Sequence, residues 1–106
     1  MFATIREAAF DPGKMARGKD HVDEFWRIRA EQPGYKGALT VDAGGGRAFI
    51  ITLWETVEDG RTAQDILDAH AQRLMEPFQS GPTRVLGRGH VSYDDLTQPG
   101  ATQAPH

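Results

Sequence analysis

Apolar positions along the chain alternate between two rhythms, and the switches between them lay out six elements. Residues 2 to 10, FATIREAAF, open with β-forming side chains and read as a first strand. The DPG of residues 11 to 13 reads as a turn. Residues 19 to 32, KDHVDEFWRIRAEQ, contain neither Gly nor Pro. They set Val22, Phe25 and Trp26 on one helical face, with Ile28 and Ala30 beyond. Asp20, Asp23 and Glu24 lie near the start of this helix, where the helix dipole favours anions, and Pro33-Gly34 ends it.

The rhythm then changes to a period of two. From Lys36 to Ala43, Leu39 and Val41 alternate with Thr40 and Asp42, the pattern of a half-buried strand. Gly44-Gly45-Gly46 supplies residues that accept the positive φ of a tight hairpin turn. A third strand follows from Arg47 to about Glu55. Residues 57 to 78 read as a second helix in two pieces, broken near Gly60 and ended by Pro77, with Ile66, Leu67, His70, Ala71, Leu74 and Phe78 on one face. Residues 83 to 93, TRVLGRGHVSY, read as a fourth strand in which Gly87 and Gly89 mark a bulge or a close approach. The last ten residues carry no Lys, Arg, Asp or Glu and no large apolar side chain. The expected organisation is therefore one domain over residues 1–95 and a disordered tail over 96–106.

Strand, helix, strand, strand, helix, strand is the ferredoxin-like βαββαβ order of the α+β class. It predicts a four-stranded antiparallel sheet with two helices on one face and the first and third strands in the middle. The third strand is apolar on both sides: Phe49, Ile51 and Leu53 point one way, Ala48, Ile50, Thr52 and Trp54 the other. Both helices cover one side only. The second apolar side then calls for a second copy of the chain, two sheets packed face to face as a homodimer.

Composition narrows the function classes. The chain has 106 residues, 39% apolar and 25% charged, ordinary values for a single globular domain. A net charge of -3 gives no basic footprint for a nucleic-acid binder. There is no cysteine, hence no disulfide, thiolate nucleophile or zinc–cysteine site. No apolar run approaches the roughly 20 residues needed to span a bilayer, and no signal peptide opens the chain, so the expected location is cytoplasmic, with no membrane contact.

The sequence also resembles a family. PGYKG after an amphipathic helix, an apolar strand ending in LWET, and an acidic helix start are similar to the antibiotic biosynthesis monooxygenase (ABM) domains, over roughly residues 2 to 93. The resemblance implies a dimeric α+β barrel with a pocket between the sheet and the helices of one subunit. It implies a cofactor-independent monooxygenase acting on an aromatic or polyketide-like small molecule, a non-catalytic dimeric ligand-binding or stress-related module, or, in a third branch, haem binding or degradation. The haem-degrading branch uses an Asn–Trp–His arrangement. His70 matches its histidine, but the asparagine position falls near Arg6 and Glu7, and the tryptophan position falls among residues 61 to 64, so neither is kept.

His70 is the candidate catalytic group: an imidazole on an apolar helix face, able to act as a base near neutral pH. Arg6, Trp26, Tyr35 and Trp54 are the candidate pocket residues. Arg6 and Glu7 are consecutive on a central strand, so one faces the pocket and the other the dimer side, with an interface ion pair the leading reading. Trp26 and Trp54 serve as aromatic walls or as packing. No cofactor or metal is expected. His21 beside Asp20 and Glu24 lacks a second histidine and reads as a solvated helix start. The three glycines sit between two strands, with no following helix and no Lys-Ser/Thr pair, so they form no phosphate loop.

Overall fold

The computed structural model describes residues 1–93; the expected tail over 96–106 and the domain boundary at 95 lie outside them. In chain order the elements are β1 (Phe2–Ala9), α1 (Pro12–Arg17), α2 (Lys19–Ala30), β2 (Tyr35–Gly44), β3 (Arg47–Trp54), α3 (Val57–Leu74) and β4 (Arg84–His90), with a 3-10 turn at Glu76–Phe78 between the last two. The four strands form one antiparallel sheet in the order β2-β3-β1-β4, the ferredoxin-like arrangement with β1 and β3 central. The helices pack on one face of it.

Two features depart from the sequence reading. The DPG turn is the start of a helix: Asp11 is extended, its Oδ1 accepts from Lys14 N at 3.1 Å, and Pro12 occupies the first helical position, where its missing N–H is harmless. The second long helix is also not broken at Gly60. It runs unbroken from Val57 to Leu74, capped by Thr56, whose hydroxyl accepts from Asp59 N at 3.1 Å. Gly60 is there for space. A Cβ at this position would lie 3.2 Å from both the Phe2 and the Trp54 rings, so the missing side chain lets α3 sit down on the sheet.

The core is two clusters under the helices. One joins Phe2, Trp54, Ala63 and Leu67, and the other joins Val22, Leu74 and Met75. Ile66, expected on the buried face of the second helix, is 41% exposed. The hairpin turn is as the glycines require: Gly44, Gly45 and Gly46 all have positive φ, at 85°, 65° and 79°. The expected bulge in β4 is also present. Arg6 pairs with Val85 and Ile5 with Gly87, so Leu86 is the extra residue.

Register sorts the strand residues into faces. Ala48, Thr52 and Trp54 of β3, and Phe2, Thr4 and Ala8 of β1, are buried beneath the helices. On the outer face a row Leu39–Ile51–Ile5 crosses the sheet, followed by a row Val41–Phe49–Glu7. Leu39, Val41 and Ile5 there are 52%, 50% and 38% exposed. The one charged group at the middle of this face is paired: Glu7 accepts from Arg47 Nε at 2.6 Å and from Arg84. Arg84 above all, and then Arg47, hold the Glu7 carboxyl below its ordinary pKa, against a partial desolvation that acts the other way.

Candidate functional site

A cavity of about 320 Å³ lies between the inner sheet face and the helices. Its floor is built by register. Cross-strand pairing sets Ile50, Arg6 and Val85 in one row and Thr52 and Thr4 in the next, and all five line the cavity. Arg6 therefore stands at the centre of the sheet, facing the helices, while its neighbour Glu7 faces out. The roof comes from α2 through Phe25, Trp26 and Arg29 and from α3 through Gln64, Leu67, Asp68 and Ala71. Trp54 closes one end at the last residue of β3. The volume is at the small end of the range for ligand pockets, about 300–1,000 Å³.

The electrostatics of this cavity rest on two arginines. Arg29 is 8% exposed. Its guanidinium carbon lies 5.9 Å from the ring centres of both Trp26 and Tyr35, within cation–π reach of each. The Nε of Arg29 and the Nε of Arg6 are both buried without a hydrogen-bond partner among the described residues. Neither guanidinium is among the ion pairs these residues form. Burial pulls the pKa of Arg29 below the ordinary arginine value, and the Tyr35 side chain opposes this. Burial likewise pulls Arg6 down; the charge of Asp68 pushes back, while Arg88 and Arg29 add repulsion. Both groups stay cationic at neutral pH, since arginine does not lose its proton in proteins. Asp68, exposed at the rim and bonded to the Gln64 amide, is the one carboxylate in the cavity lining.

Of the residues singled out from the sequence, Arg6, Trp26 and Trp54 meet at this cavity. Trp26 is 38% exposed at the mouth, and Trp54, 3% exposed, is shared with the core. Tyr35 stands behind them. It packs edge-on against Trp54, ring centres 5.8 Å apart at 76°, and steadies Arg29 without lining the cavity. His70 does not enter the cavity as expected. Residues 64, 68 and 71 of α3 face it, while His70, half-buried, turns its Nδ1 toward Arg73 Nη2 at 3.1 Å. Helical spacing explains the difference: His70 lies two residues from Asp68, 200° round the helix.

Arg29, Asp68 and Gln64 escaped the sequence reading. The signal for Arg29 was present. It follows Val22, Phe25 and Trp26 at the i+7 position, so it continues their buried face. A charge on an apolar stripe is the informative departure. Among the described residues no group of three or more His, Asp or Glu could hold a metal ion, and no helix is long and apolar enough to cross a membrane.

The fold is the one found in ABM-domain structures, as the resemblance of the PGYKG and LWET segments implies. No protein-family model matches the chain, and no curated protein matches it in sequence. The likeness is one of structure. The cofactor-independent oxygenase SnoaB from Streptomyces nogalater superposes with a TM-score of 0.65 at 15% identity, covering 90% of this chain and 97% of that one. A protein from Nitrosomonas europaea of unknown function, NE2512, gives 0.70 at 13%, covering 90% and 92%. The haem degrader MhuD from Mycobacterium tuberculosis, with two haems bound in its active site, gives 0.64 at 20%, covering 89% and 98%. At these identities the likeness establishes the shared fold.

Proposed function

We propose that this chain binds a small aromatic molecule between its sheet and helices and oxidises it with dioxygen, as a cofactor-independent monooxygenase. The observation that carries the reading is the cavity itself: lined by Phe25, Trp26 and Trp54, sized for a small ligand, and placed over polar groups at the sheet centre. SnoaB, a cofactor-independent oxygenase, has the same fold. In such a reaction the substrate loses a proton and its anion reacts with dioxygen. A ring CH2 becomes C=O, one oxygen atom enters the product, and the other leaves as water. Arg6 and Arg29 give the cavity the positive potential that favours the substrate anion, and Asp68 is the lining group able to accept the proton. The test is oxygen uptake with anthrone- and quinol-type substrates, without added flavin or metal. Uptake with formation of the quinone is expected; no uptake across the panel refutes the oxygenase.

One observation favours a second reading, a ligand-binding module without turnover: the lining offers no imidazole, because His70 faces away. Thermal stabilisation by the same compounds without oxygen uptake is its signature. The haem reading finds little support in these residues. His70, the matching imidazole, is engaged with Arg73 and stands outside the cavity lining. We propose further that the apolar outer face packs against a second copy of the chain, giving a homodimer.

A further inference from the structure

Neither guanidinium group of the cavity forms an ion pair among the described residues: Arg29 has the Tyr35 side chain beside it, and Arg6 feels the charge of Asp68. Burying a cation costs several kcal/mol unless it is paired, and natural proteins almost never bury an arginine without a carboxylate or phosphate to match it. Here two stand over one cavity, Arg6 from the floor and Arg29 from the roof. Arg29 is more than nine-tenths buried. Each has a buried, unpartnered Nε, and the one lining carboxylate, Asp68, is exposed at the rim and already bonded to Gln64. The formal balance of the lining is two cations to one anion. The remaining walls are flat and aromatic or aliphatic: Phe25, Trp26, Trp54 and Leu67.

From this arrangement we infer that the occupant of the cavity is itself an anion: a planar aromatic acid of one or two rings, its carboxylate held between Arg6 and Arg29 and its rings against Trp26, Trp54 and Phe25. The assignment rests on the pocket reading above and narrows it to a substrate class. A carboxylate suits the position better than a neutral carbonyl. Its two oxygens match the fork of a guanidinium, and it supplies the countercharge that Arg29 lacks and that Arg6 receives only from the exposed Asp68. An anion enters from the side of Trp26, whose ring is exposed at the mouth and lies within reach of Arg29. Phosphate esters are a poorer match, because their second charge would face Asp68 across a small cavity.

A matched pair of probes separates charge from shape. 2-Naphthoate and 2-naphthamide have the same rings and nearly the same volume, and differ in charge. Calorimetric titration at pH 7.5 and low salt is expected to give naphthoate at least a tenfold advantage in Kd, about 1.4 kcal/mol. Arg29→Met and Arg6→Gln should each remove most of that advantage while leaving naphthamide binding within threefold, and Arg29→Lys should keep part of it. Equal binding of the two probes by the unaltered protein overturns the anion assignment and leaves the aromatic pocket standing. Binding of neither probe removes the pocket as well. An advantage that persists in both charge-removing variants places the anion elsewhere and also overturns the assignment. The decisive comparison is made on the unaltered chain, so a variant that fails to fold does not rescue the idea.

Discussion

Arg29→Met should make the ligand-free protein more stable, and the sign of that change tests whether Arg29 serves the fold or the cavity. The buried Nε of Arg29 has no hydrogen-bond partner, and burial lowers its pKa. A buried donor left unsatisfied costs about 1–3 kcal/mol, more when it is charged. Methionine follows the same path with an apolar side chain, keeps the packing of the stem, and matches arginine in helix propensity. What the substitution forfeits is cation–π attraction to Trp26 and Tyr35. Both lie at 5.9 Å, close to the outer limit, so each contributes about 0.5 kcal/mol. The difference is a net gain of about 1 kcal/mol. For a domain of this size that raises Tm by about 4–8 °C, and with a urea slope of about 1–3 kcal/mol/M it moves the midpoint up by roughly 0.3–1 M. Urea unfolding followed by tryptophan fluorescence measures it, with an unchanged slope as the check on two-state behaviour. A variant destabilised by about 1 kcal/mol or more would show that Arg29 holds the fold together, and would refute the reasoning that it is kept, at a cost in stability, for a ligand.

Three further outcomes are expected. Gly60→Ala, which in an ordinary helix interior gains about 1 kcal/mol, should here be neutral or destabilising by up to about 2 kcal/mol, because the new Cβ meets the Phe2 and Trp54 rings at 3.2 Å and both are locked in the core; a clear gain by thermal melting contradicts this. Glu7, whose folded pKa is depressed chiefly by Arg84, contributes stability that is fully present well above its ordinary value of 4.5 and is lost as pH falls below it. Unfolding curves collected from pH 6 to pH 3 should therefore fall more steeply for the unaltered protein than for Glu7→Gln, and parallel curves would show that the pairing contributes nothing. If the outer sheet face is covered by a second copy, the protein sediments as a dimer at micromolar concentration and Leu39→Glu, at a position 52% exposed in the isolated chain, converts it to a folded monomer; a monomeric unaltered protein removes the dimer.

Most of the fold could be read along the chain because its signals are local. Alternation from Lys36 to Ala43, three glycines at one turn, and a Gly- and Pro-free amphipathic segment each have a single physical interpretation, and each element stands where its pattern puts it. The two misread element boundaries share a cause. Gly60 looks like a helix breaker because propensity weighs a residue against water; its role appears only when Phe2, far away in sequence, and Trp54 at the end of the preceding strand pack against it. Asp11-Pro12-Gly13 fits a turn and a capped helix start equally well as a tripeptide. The helix prevails where Asp11 caps it and the backbone on its approach is tied down, the Asp11 amide donating to Phe78 O at 2.9 Å and the Phe10 amide to Gly46 O at 2.6 Å.

The site was harder to read, for a related reason. Its polar groups converge from three separate segments, and only the tertiary register brings Arg6 of β1 opposite Arg29 of α2 and Asp68 of α3. Sequence reasoning weighted His70 because imidazole titrates near neutral pH, yet a helix turns a residue's neighbours two positions away onto its opposite side, and the face that meets the cavity is that of Gln64, Asp68 and Ala71. The stronger clue lay in α2, where an apolar stripe of Val22, Phe25 and Trp26 ends in an arginine. An aliphatic residue at position 29 would have completed the stripe at no electrostatic cost. Retaining a guanidinium there, 8% exposed and without a carboxylate partner, is a local violation of the pattern that the rest of the helix obeys. Such violations concentrate where a ligand, rather than the fold, supplies the missing partner. The same logic applies to Arg6, which occupies the inner face of a central strand between Ile50 and Val85, a position that packing alone would fill with valine or isoleucine. Two departures of one sign, from elements that line one cavity from its floor and its roof, are better explained by a single anionic occupant than by two independent accidents.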